Sequence, residues 1–152
     1  ITLLNNEIFE DLEKLSFILT IFYMKIDMGK HEIIYSNAGH NCPVTLNQNG
    51  MEELPEGDIL LGVLKDYKYP TYTHKFSIGD TFFLYTDGIT EAENSYGELF
   101  GKERLYNTLL KHRDTGAKGI QAHVLESILH FRGLKKQKDD ITMVSINTTE
   151  NP

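Results

Sequence analysis

Asp87 is followed directly by Gly88 at the end of an apolar run, Phe82-Phe83-Leu84-Tyr85. A carboxylate at the mouth of a buried strand, beside a glycine that lets backbone approach closely, can hold a cation or a phosphate at a sheet edge. The same dipeptide is an ordinary turn. A second group of acids, Asp139-Asp140, stands immediately before the alternating, β-branched stretch Ile141-Thr142-Met143-Val144-Ser145-Ile146. Adjacent carboxylates repel, so they begin a strand poorly unless a cation or a backbone cap satisfies them. If the two strands are neighbours in one sheet, Asp87 and Asp139 converge on one hard, oxygen-preferring ion such as Mg²⁺ or Mn²⁺. Glu91, four residues after Asp87, shares its face on a helical turn, an unfavourable pairing unless a cation lies between them.

The elements that would position these groups are legible in the spacing. Leu4, Ile8, Leu12 and Leu15 recur at helical intervals, predicting an amphipathic helix over 1–15 packed on a sheet. Ser16 to Ile26 is apolar on both faces and reads as a central strand. Asp27-Met28-Gly29-Lys30 is turn chemistry, and Glu32 to Asn37 returns as an antiparallel strand. That strand ends at Ala38-Gly39-His40, where an imidazole one residue past a glycine can face a cleft; a lone histidine is more often structural. Pro43 to Leu46 and Met51 to Leu54 form a second hairpin around Asn47-Gln48-Asn49-Gly50. Tyr67 to Phe76 holds three tyrosines, covering the outer face of a sheet or serving a partner, and Pro70 demotes its start to an edge or bulge. After Asp87, residues 89–94 begin a short helix or turn. Two amphipathic helices follow, over 101–112 (Leu105, Leu109, Leu110) and 117–131 (Ile120, Val124, Leu125, Ile128, Leu129), separated by Asp114-Thr115-Gly116. The basic run Arg132 to Lys138 directly precedes Asp139, as a solvated loop or as an attractor of phosphorylated groups.

With 152 residues and 40% hydrophobic content, one core and one domain are expected. The net charge of −7 argues against nucleic acid or an anionic membrane as principal partner. A single cysteine, Cys42, leaves no intrachain disulfide and fits a reducing cytoplasm, with packing as its role. No stretch approaches 18 consecutive apolar residues, so no membrane contact by these residues is expected.

The block Thr86-Asp87-Gly88-Ile89-Thr90-Glu91, followed by Phe100-Gly101, resembles the "TDG-x-T-E … F-G" block of the SpoIIE-like bacterial serine phosphatases, a branch of the metal-dependent, protein phosphatase 2C-like family. Asn37-Ala38-Gly39-His40 is similar to that family's "N-A-G-H" strand end, and Asp139-Asp140-Ile141-Thr142 to its "D-D-x-T". Glu56 to Val63 looks like its "G-x-x-L-G" connection. The resemblance implies an α+β fold, an α-β-β-α sandwich of two antiparallel sheets flanked by helices. It also implies a manganese- or magnesium-dependent protein serine/threonine phosphatase using a water activated by two metals. On that pattern Asp87, Asp139, Glu91 and Gly88 belong to the metal site. His40 touches the phosphoryl group or an outer-shell water, and Asn37, Gly39, Thr86 and Asp140 line the site. The implied substrate is a phosphoserine on a regulatory protein of the STAS-type anti-sigma-factor antagonist class, in the cytoplasm. The family's "G-D-x-x-G-x-G" block has no match in these residues. The expectation is therefore that residues 1–152 are the C-terminal major part of one phosphatase domain, inactive alone, lacking N-terminal strands and open to homodimerisation through exposed edges. Sensory or membrane-anchoring segments would lie upstream. A degenerate phosphatase scaffold that only binds a signalling partner is the alternative.

Overall fold

A computed structural model describes residues 1–55 and 57–149, so that Glu56, which opens the "G-x-x-L-G" stretch, and the last three residues of the expected domain lie outside the described residues. The chain divides into two compact units, the first of Ile1–Cys42 with Pro55–Phe76, the second of Pro43–Leu54 with the described residues from Ser77 onward. Both are α+β, each containing one antiparallel sheet and at least one helix, which agrees with the expected fold class.

In the first unit, helix α1 (Thr2–Leu15) precedes strands β1 (Ile21–Asp27) and β2 (Glu32–Ala38), and strand β5 (Tyr72–Lys75) completes a sheet of order β1-β2-β5. The β1–β2 turn is held by Asp27, whose Oδ1 accepts the Lys30 N–H at 3.0 Å. The central strand is β2. The expected central strand over Ser16 to Ile26 is instead an edge strand that begins only at Ile21. Its first residues are consumed by the helix: Ser16 adopts the left-handed conformation (φ 53°) that closes α1, and the Phe17 N–H is bonded back to the Leu12 carbonyl. Phe17 and Ile18 are consequently 63% and 65% exposed. Pro70 has the expected effect, since β5 starts two residues after it and lies at the other edge.

Helix α1 corrects a second expectation. Ile8 and Leu12 pack against the buried Ala38, Leu61 and Tyr69, but Leu4 and Leu15 are exposed. The inward position is taken by Asn5, fully buried, whose Oδ1 accepts the Gly62 N–H and whose Nδ2 donates to the Leu64 carbonyl, both at 3.0 Å. At this point α1 faces loop backbone rather than apolar side chains, and peptide groups removed from water need polar partners. The tyrosines divide in the same way: Tyr69 enters the core and donates its hydroxyl to the Leu60 carbonyl at 2.9 Å, while Tyr72 remains exposed and stacks on Tyr35.

In the second unit, strands β3 (Val44–Asn47), β4 (Gly50–Glu53), β6 (Thr81–Tyr85) and β7 (Met143–Asn147) form a sheet of order β4-β3-β6-β7. Strand β6 is interior and almost wholly buried, as its unbroken apolar run requires. A helical turn α2 (Asp87–Thr90) follows it, and helices α3 (Gly101–Lys111) and α4 (Gly116–Arg132) supply Leu105, Leu109, Ile120, Val124 and Ile128 to a core shared with Phe83, Tyr85 and Phe100. Leu110, Leu125 and Leu129, expected on the same apolar faces, are exposed. The inward arc of each helix is narrower than the apolar arc of its sequence. No helix among the described residues is long and apolar enough to cross a membrane.

Candidate functional site

The two acid-bearing strand ends meet in the second unit. Strands β6 and β7 are antiparallel neighbours with Phe82 opposite Ile146 and Tyr85 opposite Met143. The exit of β6 therefore faces the entry of β7, and residues separated by 52 positions in sequence come to one end of the sheet. Thr86 makes the join. Its N–H donates to the Thr142 carbonyl at 3.0 Å, its hydroxyl donates to the Asp140 carbonyl at 3.1 Å, and its Oγ1 accepts the Thr142 N–H at 3.0 Å. Gly88 completes the join by having no side chain, since a Cβ there would lie 2.3 Å from the Asp140 carbonyl oxygen.

Asp87 opens α2 and is exposed. Its carbonyl accepts the Glu91 N–H at 2.8 Å, which sets the two acids one helical turn apart. Asp139 is exposed as well, and its Oδ1 accepts the Asp140 N–H at 2.7 Å. The backbone cap weighed from sequence is thus present on one oxygen of Asp139, leaving the second for another partner. Gly88, Glu91 and Asp139 line a common cleft of about 150 Å³ with Ala92, Glu93, Leu99, Arg132, Lys136, Gln137, Lys138 and Ile141.

Glu93 was not singled out by sequence, and the structure gives it a central place in this cleft. Its carboxylate, only 16% exposed, pairs with Lys135 at 3.0 Å and also with Lys138. These two ammonium groups hold its carboxyl below the ordinary carboxylate range. The basic run is therefore not simply solvated: two of its lysines fasten the loop before Asp139 to the segment after α2. No local signal exposes a partnership between residues 42 and 45 positions apart. Asn94 next to it is buried and closes a turn, its Oδ1 accepting the N–H groups of Tyr96 and Glu98 at 3.0 Å each. Phe100 is a core residue, and Gly101 adopts a positive φ of 76° where α3 begins.

His40, Asn37 and Gly39 belong to the first unit. The Asn37 side chain, 1% exposed, brackets the turn: its Nδ2 donates to the His40 carbonyl at 2.9 Å and its Oδ1 accepts the His40 N–H at 2.8 Å. Gly39 has φ 69°, and a Cβ there would lie 2.3 Å from the Leu60 side chain. Ala38 is fully buried. Local folding thus accounts for the first three residues of this motif, and the His40 ring stands 3.2 Å through Nδ1 from the Thr20 hydroxyl.

The carboxylates of the second unit suit a hard divalent ion by donor type. Their number does not: among the described residues no group of three or more His, Cys, Asp or Glu side chains is placed to hold a metal. Asp87, Glu91 and Asp139 are therefore not gathered into one coordinating set.

Two antiparallel sheets with helices, and acids at the ends of two neighbouring strands, are in keeping with a phosphatase-like domain of the protein phosphatase 2C type. The family model "Stage II sporulation protein E (SpoIIE)" matches residues 1–149, and the chain belongs to that family. It is 27% identical over 141 residues to "Phosphoserine phosphatase RsbU" of Bacillus subtilis (strain 168), covering 91% of this chain and 42% of that protein. It is 30% identical over 128 residues to "Protein IcfG" of Synechocystis sp., covering 84% of this chain and 20% of that protein. The chain therefore spans less than half the length of these relatives. Among solved structures, the SiaA-PP2C domain of Pseudomonas aeruginosa superposes with a TM-score of 0.79 at 20% identity, over 94% of this chain and 58% of that one.

Proposed function

We propose that this chain is part of a Mn²⁺- or Mg²⁺-dependent phosphatase that hydrolyses phosphoserine or phosphothreonine on a regulatory protein of the STAS-type anti-sigma-factor antagonist class. The observation that carries the reading is the junction of β6 and β7, where the Asp87-Gly88 turn is bonded through Thr86 to the Asp139-Asp140 segment. Family membership and the similarity to a protein named a phosphoserine phosphatase support it further. A divalent pair would supply charge neutralisation on the phosphoryl oxygens and a water acidic enough to act near neutral pH. In this reading Asp87 and Asp139 hold the ions, Glu91 contributes to a weaker position, and Gly88 lets the Asp140 backbone close against the turn. His40, with Asn37 and Gly39 shaping its turn, is the catalytic candidate that the Asn-Ala-Gly-His motif supplies.

The test is turnover of a phosphoserine protein by the gene product at its full length, with Mn²⁺ affinity measured in parallel by calorimetry. Asp87→Asn and Asp139→Asn should each weaken metal binding by more than the roughly 10- to 100-fold typical of outer-shell changes, and abolish turnover. Unchanged affinity and rate in both variants would sink the proposal. Because the donors at this junction fall short of a two-ion shell, the 152 residues alone should show no robust turnover with Mn²⁺.

A binding module without chemistry is the second reading, favoured by the incomplete donor set among the described residues. It predicts tight association with the phosphoprotein and no release of phosphate at any Mn²⁺ or Mg²⁺ concentration.

A further inference from the structure

The basic wall of the cleft has a feature that the metal reading leaves unused. Arg132, in the last turn of α4, donates from Nη1 to the Gln137 Oε1 at 3.2 Å. Its Nε is buried and has no hydrogen-bond partner among the described residues. A buried guanidinium N–H without an acceptor is rare and costly in a folded protein. The Nε edge of a guanidinium, together with Nη2, is the edge that takes an oxyanion with two parallel hydrogen bonds. Lys136, exposed on the same cleft, enters none of the ion pairs formed among the described residues. The nearby Glu93 does not neutralise these two cations, because Lys135 and Lys138 already occupy it.

We propose that Arg132 and Lys136 form an oxyanion subsite that recognises an acidic side chain of a protein substrate, adjoining the segment that carries the phosphoserine. The inference rests on the phosphatase reading for the word substrate; the subsite itself rests on the cleft. Glu91 and Asp139 lie in the same cleft, so a phosphoryl group directed to them leaves the neighbouring part of the bound segment beside Arg132 and Lys136. A carboxylate there meets the Arg132 guanidinium where it lines the cleft, and the exposed Lys136 ammonium beside it. A peptide acid fits better than nucleic acid, which needs an extended basic surface that a chain of net charge −7 does not offer.

The probes are two fluorescently labelled phosphoserine peptides of one sequence, with Glu or Gln at the positions flanking the phosphoserine. Their affinities for the full-length protein are measured by anisotropy without added metal, and their KM values with Mn²⁺. The Glu peptide should bind about 10-fold more tightly, the effect of one charge-assisted contact. That ratio should collapse towards one in Arg132→Gln/Lys136→Gln. Should the double variant fail to melt cooperatively, Lys136→Gln, on an exposed side chain, should still lower the ratio. Equal affinities for the two peptides, or a ratio that survives in a folded double variant, would overturn the subsite. Preferential binding of the Glu peptide without turnover would retain the subsite and remove the enzyme reading.

Discussion

Gly88 has no room for a side chain. A Cβ would press to 2.3 Å from the Asp140 carbonyl oxygen and 2.9 Å from its carbon, both backbone atoms that cannot swing aside. The dipeptide that suggests an ordinary turn is therefore also the contact surface between two strand ends. Gly88→Ala should push the Asp140 segment away from Thr86, breaking the 3.1 Å hydrogen bond from its hydroxyl. The expected cost is about 1–3 kcal/mol, in the range for overpacking a tight contact, with a larger proportional loss of Mn²⁺ affinity than of stability. Denaturant unfolding and calorimetric metal titration of this variant separate the two. A variant as stable and as metal-competent as the parent would show that the close approach is incidental. Asn5 teaches a related lesson, because a polar residue between apolar helical positions serves the core when backbone, not side chain, lies opposite.

Among the elements, the loop between α4 and β7 bears most on function. It carries the basic run, and its Lys135 and Lys138 are fastened to Glu93 at the far side of α2. Exposed ion pairs contribute little, but this carboxylate is largely shielded and holds two partners at once. Glu93→Gln should free the loop that leads into Asp139. Amide hydrogen exchange over residues 134–140 should accelerate, and Mn²⁺ affinity should fall by roughly 10-fold, as for loss of an outer-shell partner. Unaltered exchange in that loop would show that the lysines do not restrain it. Because the Glu93 carboxyl titrates below its ordinary value, the tether is fully formed above the unfolded-state pKa of a glutamate, about 4.3, and is lost as pH falls through the lower folded value.

For the molecule as a whole, acid sensitivity has a second source where α3 meets α4. His112, which closes α3, stacks on His123 of α4 with ring centroids 3.6 Å apart. Burial, the neighbouring His123 and Lys111 lower its pKa, opposed by Glu126. A histidine whose folded pKa lies below its unfolded value of 6.5 binds more protons when unfolded. Its contribution is intact above pH 6.5 and is progressively lost as the solution is acidified towards the folded value. The thermal midpoint should therefore drop between pH 7.5 and 5.5, and the drop should be shallower in His112→Gln. Parallel profiles for parent and variant would assign the acid sensitivity elsewhere.

Much of this protein was legible without coordinates. The buried run at Phe82 to Tyr85, the two hairpins and helices α3 and α4 follow from local periodicity and turn chemistry, which act over a few residues, whereas the meeting of the Asp-Gly strand end with the Asp-Asp strand start is only a condition until β6 and β7 pair. The family motifs added the class of protein. Tertiary structure alone decided which apolar faces turn inward, as Leu4, Leu15, Leu125 and Leu129 show. It also decided that β1 is an edge rather than a centre, that Asn5 replaces a leucine in the core, and that Glu93 gathers two lysines from the opposite end of the second unit's sequence. These outcomes depend on which segment lies opposite in space. That is set by chain closure over tens of residues, and no window of neighbouring side chains contains it.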